Sequence, residues 1–210
     1  MIRTLQRVAP ALCCALLFGC SSQTITPTQQ DRPAPSWQQR QQQLLPLTQW
    51  QVQGKIRIQT KEEDTSANLS WSQHPDHYQI YLAGPLGQGA ISIAGSNENG
   101  VTLDIGGEQR YQADSAAQLL QQQLGWSIPI SQIGYWARGM PAPGATYSKR
   151  LDGQNRLKQL NQEGWILNYV DYHSDQQPQL PRKIKLSRGE ALKLTLILKQ
   201  WQLNPPTSTP

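Results

Sequence analysis

Beyond residue 20 the chain contains no cysteine: Cys13, Cys14 and Cys20 are its only three, in a chain of 210 residues. That excludes a disulfide framework and a cysteine-based metal site in the remainder. Histidine is nearly as scarce, with three, methionine has two, phenylalanine one, and charged residues make up only 16%. No Lys/Arg run reaches the length of a nucleic-acid patch, so no nucleic-acid partner is expected. The formal charge of +5 falls to +3 once Arg3 and Arg7 leave with the leading segment described next. There is no apolar run long enough for a mature membrane-spanning helix. What is plentiful is tryptophan and tyrosine, seven of each. That aromatic content argues against disorder, and the length suits one domain with a substantial core.

The first residues read as an export signal. Arg3 and Arg7 form a basic start, and the apolar run from Val8 to Phe18 is too short to span a bilayer. The run stops at Leu17-Phe18-Gly19-Cys20, followed by Ser21-Ser22. This resembles a bacterial lipobox, with Phe18 departing from the small or medium residue usual at its place. The resemblance implies cleavage after residue 19, thioether diacylglycerol on Cys20 and acylation of the new N-terminus. An ordinary signal peptide cut nearby is the alternative. Each buried methylene contributes about 0.8 kcal/mol and a second chain already gives stable anchoring, so about three chains would hold the protein on a membrane for good. Ser21, where an Asp would imply retention at the inner membrane, implies the outer membrane. Residues 23–35 are polar and proline-rich and read as a tether.

From Trp50 onward apolar and polar residues mostly alternate. Trp50, Val52, Gly54, Ile56 and Ile58 form one set; Ala67, Leu69 and Trp71 a second; Tyr78, Ile80 and Leu82 a third. Ile91 and Ile93, then Val101, Leu103 and Ile105, continue it, and runs at 147–151, 156–161, 165–172, 183–186 and 192–201 fill the second half. Short Gly, Asn and Asp punctuation between them predicts about eleven strands, antiparallel because no connector is long enough for a crossover. Three segments have a helical period instead. Ser36 caps a first helix with Trp37, Arg40, Leu44 and Leu47 close to one face and Pro46 ending it. Asp114 is expected to cap a second, with Ala117, Leu120, Gln121 and Leu124 along its stripe and Gly125 as its stop. Ser131 is expected to start a third, with Ile133, Trp136 and Ala137 inward and Gly139 at its end. Mainly β with a few short helices, the pattern predicts a strongly curved sheet whose inside the helices cover.

The inward positions are aliphatic and Trp, with few groups capable of acid–base or metal chemistry. Such a lining accommodates hydrocarbon, or it is simply a filled barrel core. Gly84-Pro85-Leu86-Gly87-Gln88-Gly89 lacks the Lys-Ser/Thr of a phosphate loop and sits between strands, so it reads as a hairpin tip. Leu86 is odd at an apex: it either folds back into the core or reaches into something greasy. His74-Pro75-Asp76-His77 reads as a surface turn whose histidines point in unrelated directions, not as a metal site. Glu62-Glu63-Asp64 reads as a solvated cluster beside Lys61. There is no Gly-x-Ser-x-Gly elbow, no His-Glu-x-x-His and no cysteine nucleophile in the mature chain, hence no positive case for an enzyme or a cofactor.

Several stretches together resemble one family. They are the lipobox Cys20, Gly54-Lys55-Ile56, the strand from Ser66 to Trp71, the run from Tyr78 to Gly87, Tyr135-Trp136-Ala137-Arg138-Gly139-Met140-Pro141, Gly164-Trp165 and Leu180-Pro181. In order and spacing they are similar to the LolB family of Gram-negative outer-membrane lipoprotein receptors, from about residue 36 to Trp201. The resemblance implies an open, incomplete antiparallel β-barrel plugged by helices around an apolar cavity. It implies a periplasm-facing receptor that takes acylated lipoproteins from a LolA-like periplasmic carrier and places them in outer-membrane lipid. It also implies that the loop Pro85, Leu86, Gly87 acts in membrane insertion. The implied organisation is a signal peptide over 1–19, lipidated terminus and tether over 20–35, the binding domain over 36–203 and a disordered tail over 204–210, with a monomer expected. Alternation and helix face nominate Trp50, Val52, Leu69, Trp71, Ile80, Leu82, Ile91, Ile93, Leu120, Trp136, Trp165 and Leu194 as cavity residues. Helices able to shift as a lid would suit such a cavity. Arg57, Arg138, Lys149, Arg150, Arg182 and Lys183 are candidates for meeting an acidic carrier. Two other readings stay open: a scaffolding outer-membrane lipoprotein with a filled core, and a periplasmic hydrolase, for which no polar constellation is found.

Overall fold

The computed structural model describes residues 33–96 and 99–205. Cys20, the export segment, most of the tether and residues 206–210 lie outside the described residues. Within them, eleven antiparallel strands make one sheet: β1 (Trp50–Gln59), β2 (Asp64–Gln73), β3 (His77–Ala83), β4 (Ile91–Ser96), β5 (Gly100–Ile105), β6 (Gln109–Ala113), β7 (Tyr147–Leu151), β8 (Leu157–Gln162), β9 (Trp165–Tyr172), β10 (Pro181–Arg188) and β11 (Leu192–Leu203). Their order is β6-β5-β4-β3-β2-β1-β11-β10-β9-β8-β7, so two meanders join where β1 pairs with β11 and the sheet keeps two free edges. Alternation dictates the faces: on β11 Leu192, Leu194, Leu196 and Leu198 are buried while Lys193 and Lys199 are exposed. Strand β6 is not among the runs picked out above. Its QRYQA has one large apolar residue, and an edge strand needs no more.

Helices α1 (Trp37–Leu44), α2 (Ala116–Leu124) and α3 (Ile130–Ala137) cover the inner face. Ser36 caps α1 as expected, in a reciprocal box: its Oγ accepts from Gln39 N at 3.2 Å, and Gln39 Oε1 accepts from Ser36 N at 2.8 Å. The other two starts differ from expectation. Ser115, not Asp114, caps α2, because its Oγ is the one that reaches Gln118 N. The buried stripe of α2 is Leu119 and Leu120; Gln121 is exposed and Ala117 only half-buried. Gly125 does end it, at φ 75°. Helix α3 begins at Ile130 after Pro129, whose fixed φ suits a helix start, and not at Ser131.

Sheet curvature follows from α3. Strands β4 and β8 stand seven places apart in the sheet, on the order of 34 Å if it were flat. Yet Ile133 of α3 lies with Ile93 of β4, while Trp136 Nε1 donates to Gln162 Oε1 of β8 at 2.8 Å. A helix of that size is about 12 Å long, so the sheet must curl around it. At the chain ends, Pro35 O accepts from Asn155 Nδ2 at 3.2 Å, and Asn204 N and Pro205 O both bond Gln49 at 3.0 Å. The packed region therefore runs slightly past the limits 36 and 203.

Candidate lipid-binding site

The inner side chains enclose a wholly apolar crevice of about 50 Å³. Of the twelve nominated residues it brings together Leu69, Trp71, Ile80, Leu82, Ile93, Leu120 and Leu194. Trp50, Val52, Trp136 and Trp165 are buried in the same core but do not line it, and Ile91 is half-buried at its margin. Ile56, Trp126, Ile128, Ile130, Ile133 and Leu196 complete the wall. Ile56, Ile133 and Leu196 carry the same alternation or helix-face signal as the chosen residues. Trp126 and Ile128 lie in the α2–α3 connection, where no periodicity marks them.

The crevice is much smaller than the open hollow expected from sequence. It has room for one or two groups of water size, at about 30 Å³ each. The reason is energetic. An empty cavity sized for one long acyl chain, on the order of 400 Å³, would cost about 10 kcal/mol at about 24 cal/mol per Å³. That matches the whole stability of an ordinary domain. Side chains therefore fill most of the space between the facing walls.

What fixes the walls is unevenly distributed. Arg138, 6% exposed, donates from Nε to Gly134 O at 3.1 Å and from Nη1 to Leu44 O at 3.3 Å and to Leu47 O at 2.5 Å. Burial pulls its pKa down, and nearby Tyr135 opposes that. It clamps α3 to the end of α1 and is no surface cation, which corrects its nomination for carrier docking. A long side chain with three carbonyls in reach is held inside despite its charge. Gln162 Oε1 also accepts from Ala142 N at 2.9 Å, its Nε2 donates to Ala142 O at 2.7 Å, and Tyr169 OH donates to Trp136 O at 3.0 Å. Among the described residues no hydrogen bond ties α2 or residues 125–129 to the sheet.

The other surface candidates remain outside. Arg57 is bidentate to Asp64 at 2.6–2.7 Å, and Arg182 Nε lies 2.7 Å from Asp171 Oδ2. Lys149 sits over Trp37, Arg150 is exposed and Lys183 half-exposed. His74 and His77 are not splayed: their rings stack at 4.2 Å because the two residues bracket a hairpin turn and face the same side. Asp76 binds His77 Nδ1 at 2.9 Å, and among the described residues no three metal-ligating side chains cluster.

Leu86 does not fold back. It forms the apex of a 3₁₀ turn (Pro85–Gly87), 97% exposed, with φ 59° and ψ 22°. A left-handed Leu costs roughly 1–2 kcal/mol, so the turn holds an apolar side chain in water and in strain together. The register puts this turn at the same end of the sheet as the turns at 60–63 and 189–191; the 74–76 turn lies at the other end. No described helix is long and apolar enough to cross a membrane.

A family model described as "Outer membrane lipoprotein LolB" matches residues 48–201. The chain belongs to the LolB family. Curated LolB proteins of Pseudomonas syringae pv. syringae and Pseudomonas aeruginosa PAO1 are each 40% identical over 189 residues, covering 90% of this chain and 91% of theirs. Among solved structures, a LolA superfamily protein from Nitrosomonas europaea aligns with TM-score 0.52 at 12% identity, over 82% of this chain and 95% of that one. A DUF1329 family protein from Desulfovibrio piger aligns with TM-score 0.55 at 6% identity, over 80% and 91%. These two likenesses are of fold alone.

Proposed function

We propose that the chain is a lipid-anchored receptor on the periplasmic side of the outer membrane, accepting acylated lipoproteins from a LolA-like carrier and passing them into the bilayer. Cys20 carries the anchor in this reading. The observation that supports it most is the combination of a wholly apolar crevice with helix α2 and its following linker held by packing alone. Hydrocarbon replaces side-chain contacts there without breaking hydrogen bonds to the sheet, and no nucleotide is needed: acyl chains move on if the next surface shields them better. Leu69, Trp71, Ile80, Leu82, Ile93, Leu120 and Leu194 are its chain-contacting walls.

Leu86 is the delivery element. Fully burying a Leu is favourable by about 1.5–3 kcal/mol, and an exposed apex realises that gain only in another apolar phase. Leu86→Glu leaves folding and lipoprotein uptake intact and reduces transfer from receptor to vesicles. Normal vesicle transfer by that variant would remove the role. The receptor reading itself is tested by mixing the protein with carrier loaded with a lipoprotein, in parallel with the same cargo lacking acyl chains. Uptake must depend on the chains. Indifference to acylation would favour a scaffold with a filled core.

A further inference from the structure

We infer that the chains enter beside Trp126, and that the groove outside it holds the glyceryl ester and first polar residues of the polypeptide attached to them. This rests on the receptor reading above. Trp126 lines both the apolar crevice and a groove of about 550 Å³ at the Leu86 end of the sheet. That groove runs between the 60–63 turn, the C-terminal end of α2 and the 189–191 turn. At the opposite end a second groove of about 340 Å³, beside His74 and Ser131, shares no lining residue with the crevice. There Arg138 also clamps α3 to α1. Of these two grooves, the first shares a wall with the crevice, the side chain of Trp126. The backbone around Trp126 has no hydrogen bond to the sheet among the described residues, and Gly125 before it turns at φ 75°.

The groove's lining offers each kind of group the ligand would need: apolar Leu124, Trp126 and Leu192, the hydroxyls of Thr60 and Ser127, and the charges of Lys61, Glu62, Glu63 and Arg188. Hydroxyls suit ester and amide groups, and charges of both signs suit peptides of either charge. Chains leaving by this route emerge at the end of the sheet that carries Leu86, so one face serves both loading and delivery.

The test uses the full chain reconstituted in phospholipid vesicles. The probe is a synthetic S-dipalmitoylglyceryl-cysteine decapeptide labelled on its peptide part. A photoreactive residue placed at Glu63 or Arg188 cross-links the peptide several-fold more than one at His74 or Ser131. Equal or reversed yields, with the probe bound, overturn this portal and leave the receptor reading standing. If a photoreactive group on an acyl chain of the same probe labels no part of the domain, both are overturned. Trp126→Ala speeds probe uptake several-fold and Trp126→Phe does so less; unchanged or slower uptake in the Ala variant overturns the portal.

Discussion

Arg138 and Asp152 show what single side chains do for this domain. Arg138→Met keeps most of the apolar stem but takes the guanidinium donors from the carbonyls of Gly134, Leu47 and Leu44, of which Leu44 O still accepts from Leu47 N at 3.1 Å. Each buried unpaired group costs about 1–3 kcal/mol, partly offset by removing a buried charge, so a loss of about 3 kcal/mol in urea unfolding is expected. Asp152 is a smaller, pH-dependent case. Burial pushes its carboxyl up, but hydrogen bonds from the backbone and guanidinium of Arg156 and from Gln154 N outweigh that and hold it below its ordinary 3.8. Its contribution is therefore full above that value and is lost as pH falls through the lower, folded-state pKa. Asp152→Asn removes this part of the acid sensitivity: wild-type and variant urea midpoints converge as pH drops below about 4. Residue patterning reached Leu86 only as a choice between two environments, since a residue at an apex has no period to read; the family resemblance supplied the membrane-inserting role. It misplaced Arg138 because a charged residue next to a helix end looks solvated until its acceptors are known.

Among the elements, Gly54 shows a constraint that the periodic pattern hides. It occupies an inward strand position like Val52 and Ile56, but the register with β11 slips there, and an added Cβ would lie 1.8 Å from Ile197 O. Gly54→Ala forces the β1–β11 junction apart, and because that pairing joins the two meanders, thermal unfolding shifts sharply downward or the protein fails to accumulate. Gly95 is the milder control: its added Cβ meets the ring of Tyr78 at 2.4 Å, a side chain able to swing. Strands were legible because burial on one face imposes period two, and the turns because Gly and Asn mark them. Helix starts were displaced by one residue, since neighbouring Asp114 and Ser115 are equally good caps on paper and only one reaches the backbone N–H. Strand β6 escaped because its QRYQA holds a single large apolar residue, too few to show a period.

For the whole molecule, the interior sets the terms. Ile133→Phe adds bulk to the crevice wall and should lower the unfolding free energy in urea by about 1–3 kcal/mol, the cost of overpacking, while uptake of acylated cargo falls. Retained uptake would mean that chains bind elsewhere. Family and architecture were legible from the order of landmarks along the chain, but the extent to which side chains fill the interior was not. Alternation gives the side on which an apolar residue lies, not whether the space between facing residues is filled.

The two unpaired borders of the sheet, β6 and β7, bear on that filling. In a closed barrel the girth is set by the number of strands and their stagger, and widening it means tearing a ladder. Here the ladder is not closed, as in a split collar, so spreading the slit would widen the bore while all ten strand-to-strand seams stay intact. Arg110 on one lip and Lys149 and Arg150 on the other keep those lips from zipping to a second molecule, so the slack stays available for cargo of differing girth.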